Sequence, residues 1–132
     1  MFRVIIITPE KRAFDGKARF VEFKTVEGAM GTLQNRAPLM AAMAISEIEI
    51  TDEKGKKQLF AIHGGISEFS HNTFTIITDS AERPDEIDVD RVKNALEHAR
   101  VELETIESEI RKKEVERKIK HALVRLKISQ KN

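Results

Sequence analysis

The chain has no cysteine, no tryptophan and no tyrosine. Without cysteine there is no disulfide and no thiolate chemistry, which fits a reducing compartment. The aromatic residues are seven phenylalanines, the last of them Phe74. Residues 75–132 therefore hold no aromatic platform on which a base or sugar could stack. Long apolar runs are missing too. Neither a secretory leader in residues 1–30 nor a membrane-spanning segment of about 20 apolar residues is expected. The formal net charge of +1 gives no global attraction to nucleic acid. The length, 132 residues, suits one main domain with an appendage and can bury a core without staples.

Two periodicities divide the chain. Up to about Asp79 it reads as strands. RVIIIT (3–8) is short and β-branched and stops at Pro9, and FVEFKTV (20–26) is rich in Phe, Val and Thr. EIEIT (47–51) alternates, with Ile48 and Ile50 on one face. DEKGKK (52–57) reads as a hairpin turn around Gly55, and HGGIS as a turn or bulge at Gly64 and Gly65. TFTIIT (73–78) alternates again after the turn residues His71 and Asn72. Short strands separated by turns point to a β-sandwich or barrel of roughly 80 residues.

After Pro84 the period becomes helical. Val89, Val92, Leu96, Ala99, Leu103, Ile106 and Ile110 follow a heptad seam. Val115, Ile119, Ala122 and Leu126 resume it after a five-residue gap. The spacing predicts two helices, roughly 88–107 and 112–128, with a turn near Ser108 to Lys113. No Gly or Pro marks that turn, so one continuous helix with a stutter is also accessible. Residues 85–110 hold nine acidic and three basic residues, and residues 111–132 nine basic and two acidic. An acidic helix and a basic one can fold into a complementary hairpin, and the basic one could instead dock on an acidic partner. Such helices are marginal alone in water, which makes the arm the less stable part.

Most chemistry-bearing patterns have ordinary explanations. Gly28, Gly31, Gly64 and Gly65 form no phosphate-loop fingerprint and fit turns or bulges. His63, His71, His98 and His121 lack metal-ligand spacing. No nucleophile–base arrangement is visible, and no enzyme activity is expected. The basic stretch 111–127, with Arg111, Lys112, Lys113, Arg117, Lys118 and Lys120, could meet RNA or anionic lipid, but a solvated helix face or an acidic protein partner explains it better. In IDVDRV (87–92), Asp88 suits a helix N-cap and Asp90 the positive end of the helix dipole. Arg91 is left unexplained by that reading, and a phosphate-facing role would explain it.

Five segments in this order resemble the epsilon-subunit family of bacterial rotary ATP synthases: TPEKRAFDG (8–16), EGAMGTLQNRAPL (27–39), HGGISEF (63–69), FTIITDSAE (74–82) and IDVDRV (87–92). The resemblance runs over nearly the whole length. It implies an N-terminal antiparallel β-sandwich of about ten short strands, here 1–84, then an antiparallel two-helix hairpin, here 85–132. It implies a non-catalytic subunit whose sandwich binds gamma beside the membrane c-ring. The hairpin would extend along gamma to the alpha and beta catalytic subunits and inhibit ATP hydrolysis through the basic helix. Location would be peripheral, at the cytoplasmic face of the cell membrane, with no membrane span and no nucleic acid.

The resemblance also assigns residues. The rotor-contact loop would include Met30, Leu33, Arg36, Pro38 and Leu39, with Ala42 and Ala44 buried behind it. Departures fall here: Gly31-Thr32-Leu33-Gln34-Asn35-Arg36 stands where the family has Gly-Ile-Leu-Pro-Gly-His, and Ile66 where it has Phe after two glycines. Some members bind ATP through Ile-Asp-x-x-Arg-Ala. This chain matches Ile87, Asp88 and Arg91 but has Val92 for the alanine, and Glu82 and Arg125 match further positions. His121 stands where a second arginine often sits. No cofactor is required, and any ATP binding is expected to be weak. Two other readings stay open: an independent small-molecule sensor with a helical lid, and a basic-helix binder of nucleic acid or membrane.

Overall fold

The computed structural model describes residues 1–31 and 37–130. Seven strands come first: β1 (Phe2–Ile7), β2 (Arg12–Thr25), β3 (Gly28–Gly31), β4 (Leu39–Asp52), β5 (Lys57–Ser70), β6 (Thr73–Ile77) and β7 (Ala81–Glu82). A 3-10 turn (Pro84–Glu86) leads to α1 (Val89–Thr105) and α2 (Glu109–Ser129). The strand order is β1-β6-β5-β4-β2-β3, and a further β1–β2 pairing closes the sheet on itself. Closure leaves the side chains of both layers to fill one interior. Val4, Ile6, Val21, Ile48, Ile50, Phe60, Ile62 and Ile76 are fully buried there.

A β-sandwich followed by two helices is as the sequence predicts. The strands are fewer and longer than expected: seven among the described residues, not about ten, because β2, β4 and β5 each run 14 residues. Nor are all pairs antiparallel, since β1 runs parallel to β6. Apparent breaks in the pattern proved to be bends within continuous strands. Gly64 and Gly65 have φ of +70° and +110°, yet the β4–β5 pairing holds one register from Leu39↔Phe69 to Thr51↔Lys57. Before the bend β5 pairs with β7, and after it with β6.

The bend also exchanges the faces of the strands. Phe60 and Ile62 point into the core before it, and Phe69 after it. On β4 the same exchange occurs between Ile48 and Met43. The resemblance implies buried Ala42 and Ala44, which is also the phase of the Ile48–Ile50 alternation. Instead Met43 is buried, Ala42 is exposed and Ala44 half-buried. A one-residue change of phase moves every side chain to the opposite face.

The two predicted hairpin turns hold, whereas the interhelical turn expected near Ser108 to Lys113 falls at 106–108. Asp52 Oδ1 accepts from the amides of Lys54 and Lys56, both at 2.9 Å, and Gly55 has φ of +83°. His71 and Asn72, at φ of +51° and +57°, make the two-residue connection from β5 to β6, and two positive φ values match the twist of a hairpin. In the arm, α2 starts three residues before the expected position. Ser108 Oγ accepts from the Arg111 amide at 3.3 Å and caps it. The chain reverses at 106–108, so Ile110 falls off the seam and is 76% exposed.

A Cβ at Gly65 would lie 2.0 Å from the Ile77 carbonyl oxygen, whereas at Gly64 nothing comes nearer than 3.5 Å. Gly65→Ala is therefore expected to destabilise the fold by about 3 kcal/mol, combining backbone strain and overlap. Gly64→Ala is expected to cost about 1 kcal/mol. Urea unfolding of the two variants checks the order, and equal losses would contradict it.

Candidate functional site

The helical hairpin lies on β4 and β5, and its contact with the sandwich is made mainly by α2. Val92 and Leu96 of α1, Ala122 and Ile128 of α2, Ala61 of β5 and Ile87 form one apolar cluster, separate from the sandwich core. Ala61 is small, so the helices approach the sheet closely at that point. Ion pairs rim the cluster. Arg125 Nε lies 2.7 Å from Glu82 Oε1, and its Nη2 donates to Oε2 at 2.9 Å. Lys127 Nζ meets Glu47 Oε1 at 3.0 Å. At the far end of the hairpin Arg111 holds Glu102 at 2.6 Å and Glu114 at 3.1 Å.

The residues predicted to meet ATP are brought into one neighbourhood only in part. Asp88 is the N-cap of α1, and its Oδ1 accepts from the Arg91 amide at 3.2 Å. Ile87 is buried in the apolar cluster. Glu82 and Arg125 are joined to each other, a bidentate contact that occupies the guanidinium. The Arg91 side chain is exposed, without an ion pair among the described residues. Val92 is 1% exposed, packed into the hairpin. A cleft of about 900 Å³ lies elsewhere, between α2 and the β2–β3–β4 edge, lined by Lys24, Arg117, Lys120 and Lys127 among others. None of the five predicted nucleotide residues lines it.

Of the predicted rotor loop, Met30 and Leu39 are half-buried against the sandwich core. Pro38 is exposed, and Leu33 and Arg36 lie outside the described residues. In the basic helix, Lys112, Lys113, Arg117, Lys118 and Lys120 are exposed without ion pairs among the described residues, and Arg111 is committed to its two glutamates.

Sequence reasoning missed two features. The first is a row of outward apolar side chains across three paired strands, Ala42↔Ile66↔Ile77. Ile66 is 54% and Ile77 59% exposed, with Met40 at 69% two residues along β4 from Ala42. The phase change at the glycines hid it. The second is a stack of His63 on His121, centroids 4.4 Å apart and planes 8° apart. Burial pushes the His121 imidazole down to about 4, and His63 and Arg125 add to the effect. Burial and Arg117 also lower His63, against a raising effect from Asp79. Two residues so far apart in sequence carry no local signal of such contact.

Residues 1–84 match the model of the ATP synthase, Delta/Epsilon chain, beta-sandwich domain. The ATP synthase epsilon chain of Lactiplantibacillus plantarum is 37% identical over 103 residues, covering 76% of this chain and 72% of that one. The ATP synthase epsilon chain of an Exiguobacterium species is 36% identical over 126 residues, covering 95% and 93%. Among solved structures, the fold is similar to a chain of the Euglena gracilis mitochondrial ATP synthase OSCP/F1/c-ring assembly. The TM-score is 0.78 at 23% identity, covering 96% of this chain and 79% of that one.

Proposed function

The chain belongs to the family of ATP synthase epsilon chains, and we propose that it is a non-catalytic coupling and regulatory subunit of the rotary central stalk. In this reading the sandwich binds gamma beside the c-ring. It would sit peripherally at the cytoplasmic face of the membrane, as part of the complex. No described helix is long and apolar enough to cross a membrane. The observation that carries the reading is the exposed row of Ala42, Ile66 and Ile77 with Met40. Apolar side chains gathered on one face of a sheet suit a protein partner. Ile66→Asp with Ile77→Asp is expected to weaken co-assembly with gamma by about 10- to 100-fold while the isolated sandwich keeps its thermal midpoint. Full assembly of that variant, measured by co-purification with gamma, would place the contact elsewhere.

The hairpin is the regulatory part of the proposal. Its exposed lysines on α2 offer an unpaired cationic face to acidic surfaces of the catalytic subunits once the arm extends. Changing Lys112, Lys113, Lys118 and Lys120 together to Glu spares Arg111, which bridges α2 to Glu102 of α1. Single rim charges contribute little, so the expected rise in ATP hydrolysis by the assembled enzyme is about two- to tenfold. An unchanged rate, in an enzyme that the unaltered subunit inhibits, removes this face from the mechanism.

ATP would act, in this proposal, by clipping the helices together. Asp88, Arg91, Arg125, Glu82 and Ile87 are its candidate contacts. Asp88 already accepts a backbone amide, and Arg125 already holds Glu82. A phosphate must compete for that arginine, and Val92 fills the space of a smaller residue. Binding is accordingly weak, in the high-micromolar to millimolar range (about 4–6 kcal/mol) or absent. Calorimetric titration of the isolated chain checks this, with Arg91→Ala as the comparison. Micromolar affinity in the unaltered chain would overturn it.

A further inference from the structure

His63 and His121 meet where α2 lies on β5. Stacked rings direct their in-plane lone pairs sideways, so the two cannot converge on one metal ion. Among the described residues no group of three or more His, Asp and Glu could hold one. What the stack permits is close contact between two neutral rings. His121 Nε2 is buried and has no hydrogen-bond partner among the described residues. A proton shared with that ring would add a charge that no nearby acceptor stabilises.

The charges around the pair oppose protonation. From α2 itself come Arg117, acting on His63, and Arg125, acting on His121. From β5 and α2 each ring faces the other. Asp79, between β6 and β7, favours a charged His63. Among the described residues no other carboxylate acts on either ring. Glu82 of β7 holds Arg125, and Glu47 of β4 holds Lys127. Glu86 of the 3-10 turn meets Lys11 at 3.3 Å, and Asp85 is exposed. From α1, Val92, Leu96 and Ala99 are buried, and Glu102 is taken by Arg111.

We propose that the His63–His121 stack is an acid-sensitive latch. With both rings neutral, α2 stays docked on the sandwich. Protonation releases the helical hairpin while the sandwich stays folded. The latch sets the docking equilibrium of the isolated chain, whether or not a released arm inhibits ATP hydrolysis.

The sign follows from linkage. A released His121 returns to its ordinary value of 6.5, against about 4 when docked. Between those values the released state binds more protons, so docking weakens as pH falls through that window. Above 6.5 docking is insensitive to pH, and below about 4 the loss is complete. From pH 7.5 to pH 5.0 the released fraction rises at most about thirtyfold through His121 alone. Solvent screening of a partly exposed ring reduces that figure, and His63 acts in the same direction. A lower limit of pH 5.0 stays above the ordinary range of carboxylates.

Hydrogen exchange of the full chain, corrected for the intrinsic effect of pH, tests the latch. Protection of α1 and α2 is expected to fall about three- to thirtyfold from pH 7.5 to pH 5.0, with β1, β4 and β6 unchanged. The double variant His63→Phe with His121→Phe keeps a ring stack that cannot titrate, and its hairpin protection should be flat with pH. Should the double variant fold poorly, His121→Leu leaves only His63 to titrate, and its hairpin protection should fall less steeply with pH than in the unaltered chain. Equal hairpin protection at both pH values in the unaltered chain overturns the proposal. So does a variant with the same pH slope, or loss of sandwich protection in step with the helices.

Discussion

The bend at Gly64 and Gly65 is the constraint from which the remaining architecture follows. At Gly65 a side chain would run into the Ile77 backbone, and at Gly64 the positive φ favours glycine. The bend lets β5 pair with β7 on one side of it and β6 on the other, so that one long strand serves both layers. It also decides which residues face outward. Ala61 and His63 before it meet the helices, and Ile66 after it meets solvent. The helix-docking face and the apolar row therefore share one strand and are separated by the two glycines.

The hairpin depends on the sandwich more than the sandwich depends on it. Its apolar cluster borrows Ala61 from β5, and two of its ion pairs, Arg125–Glu82 and Lys127–Glu47, reach back to strands. Without those, two helices of 17 and 21 residues retain one short seam and the Arg111–Glu102 contact, which is too little for firm independent order. α1 is held chiefly through α2. Anything that lifts α2 from β5 should free both helices together.

How much was legible in the sequence depended on whether the signal was local. The Ile48–Ile50 alternation, the Gly55 and His71–Asn72 turns, the Asp88 cap and the two apolar stripes all act within a few residues, and all are found. Strand continuity through Gly64 and Gly65 was missed because glycine marks a bend and a turn equally well. Met43 is buried in place of Ala42, whose burial the resemblance implied, because the strand changes phase there. Ser108 caps α2 without the Gly or Pro that would have announced a boundary. At the candidate site, Glu82 and Arg125 were each named, yet their pairing was not, because 43 residues separate them. Metal-ligand spacing, by which the histidines look ordinary in the sequence, is blind to two rings lying face to face.

The three-residue reversal at 106–108 also fixes what an opened arm would look like. Joined as one helix, residues 89–129 would make a rod about 60 Å long. At about 100° per residue, the stripe of Val92, Leu96, Ala99 and Leu103 would lie about 140° around the rod from that of Val115, Ile119, Ala122 and Leu126. A surface lying along one side of such a rod could cover one stripe and would leave the other wet. A receptor that buries both must wrap around the rod or grip its two halves from different sides, so the geometry of the fold-back already specifies a cradle with two walls.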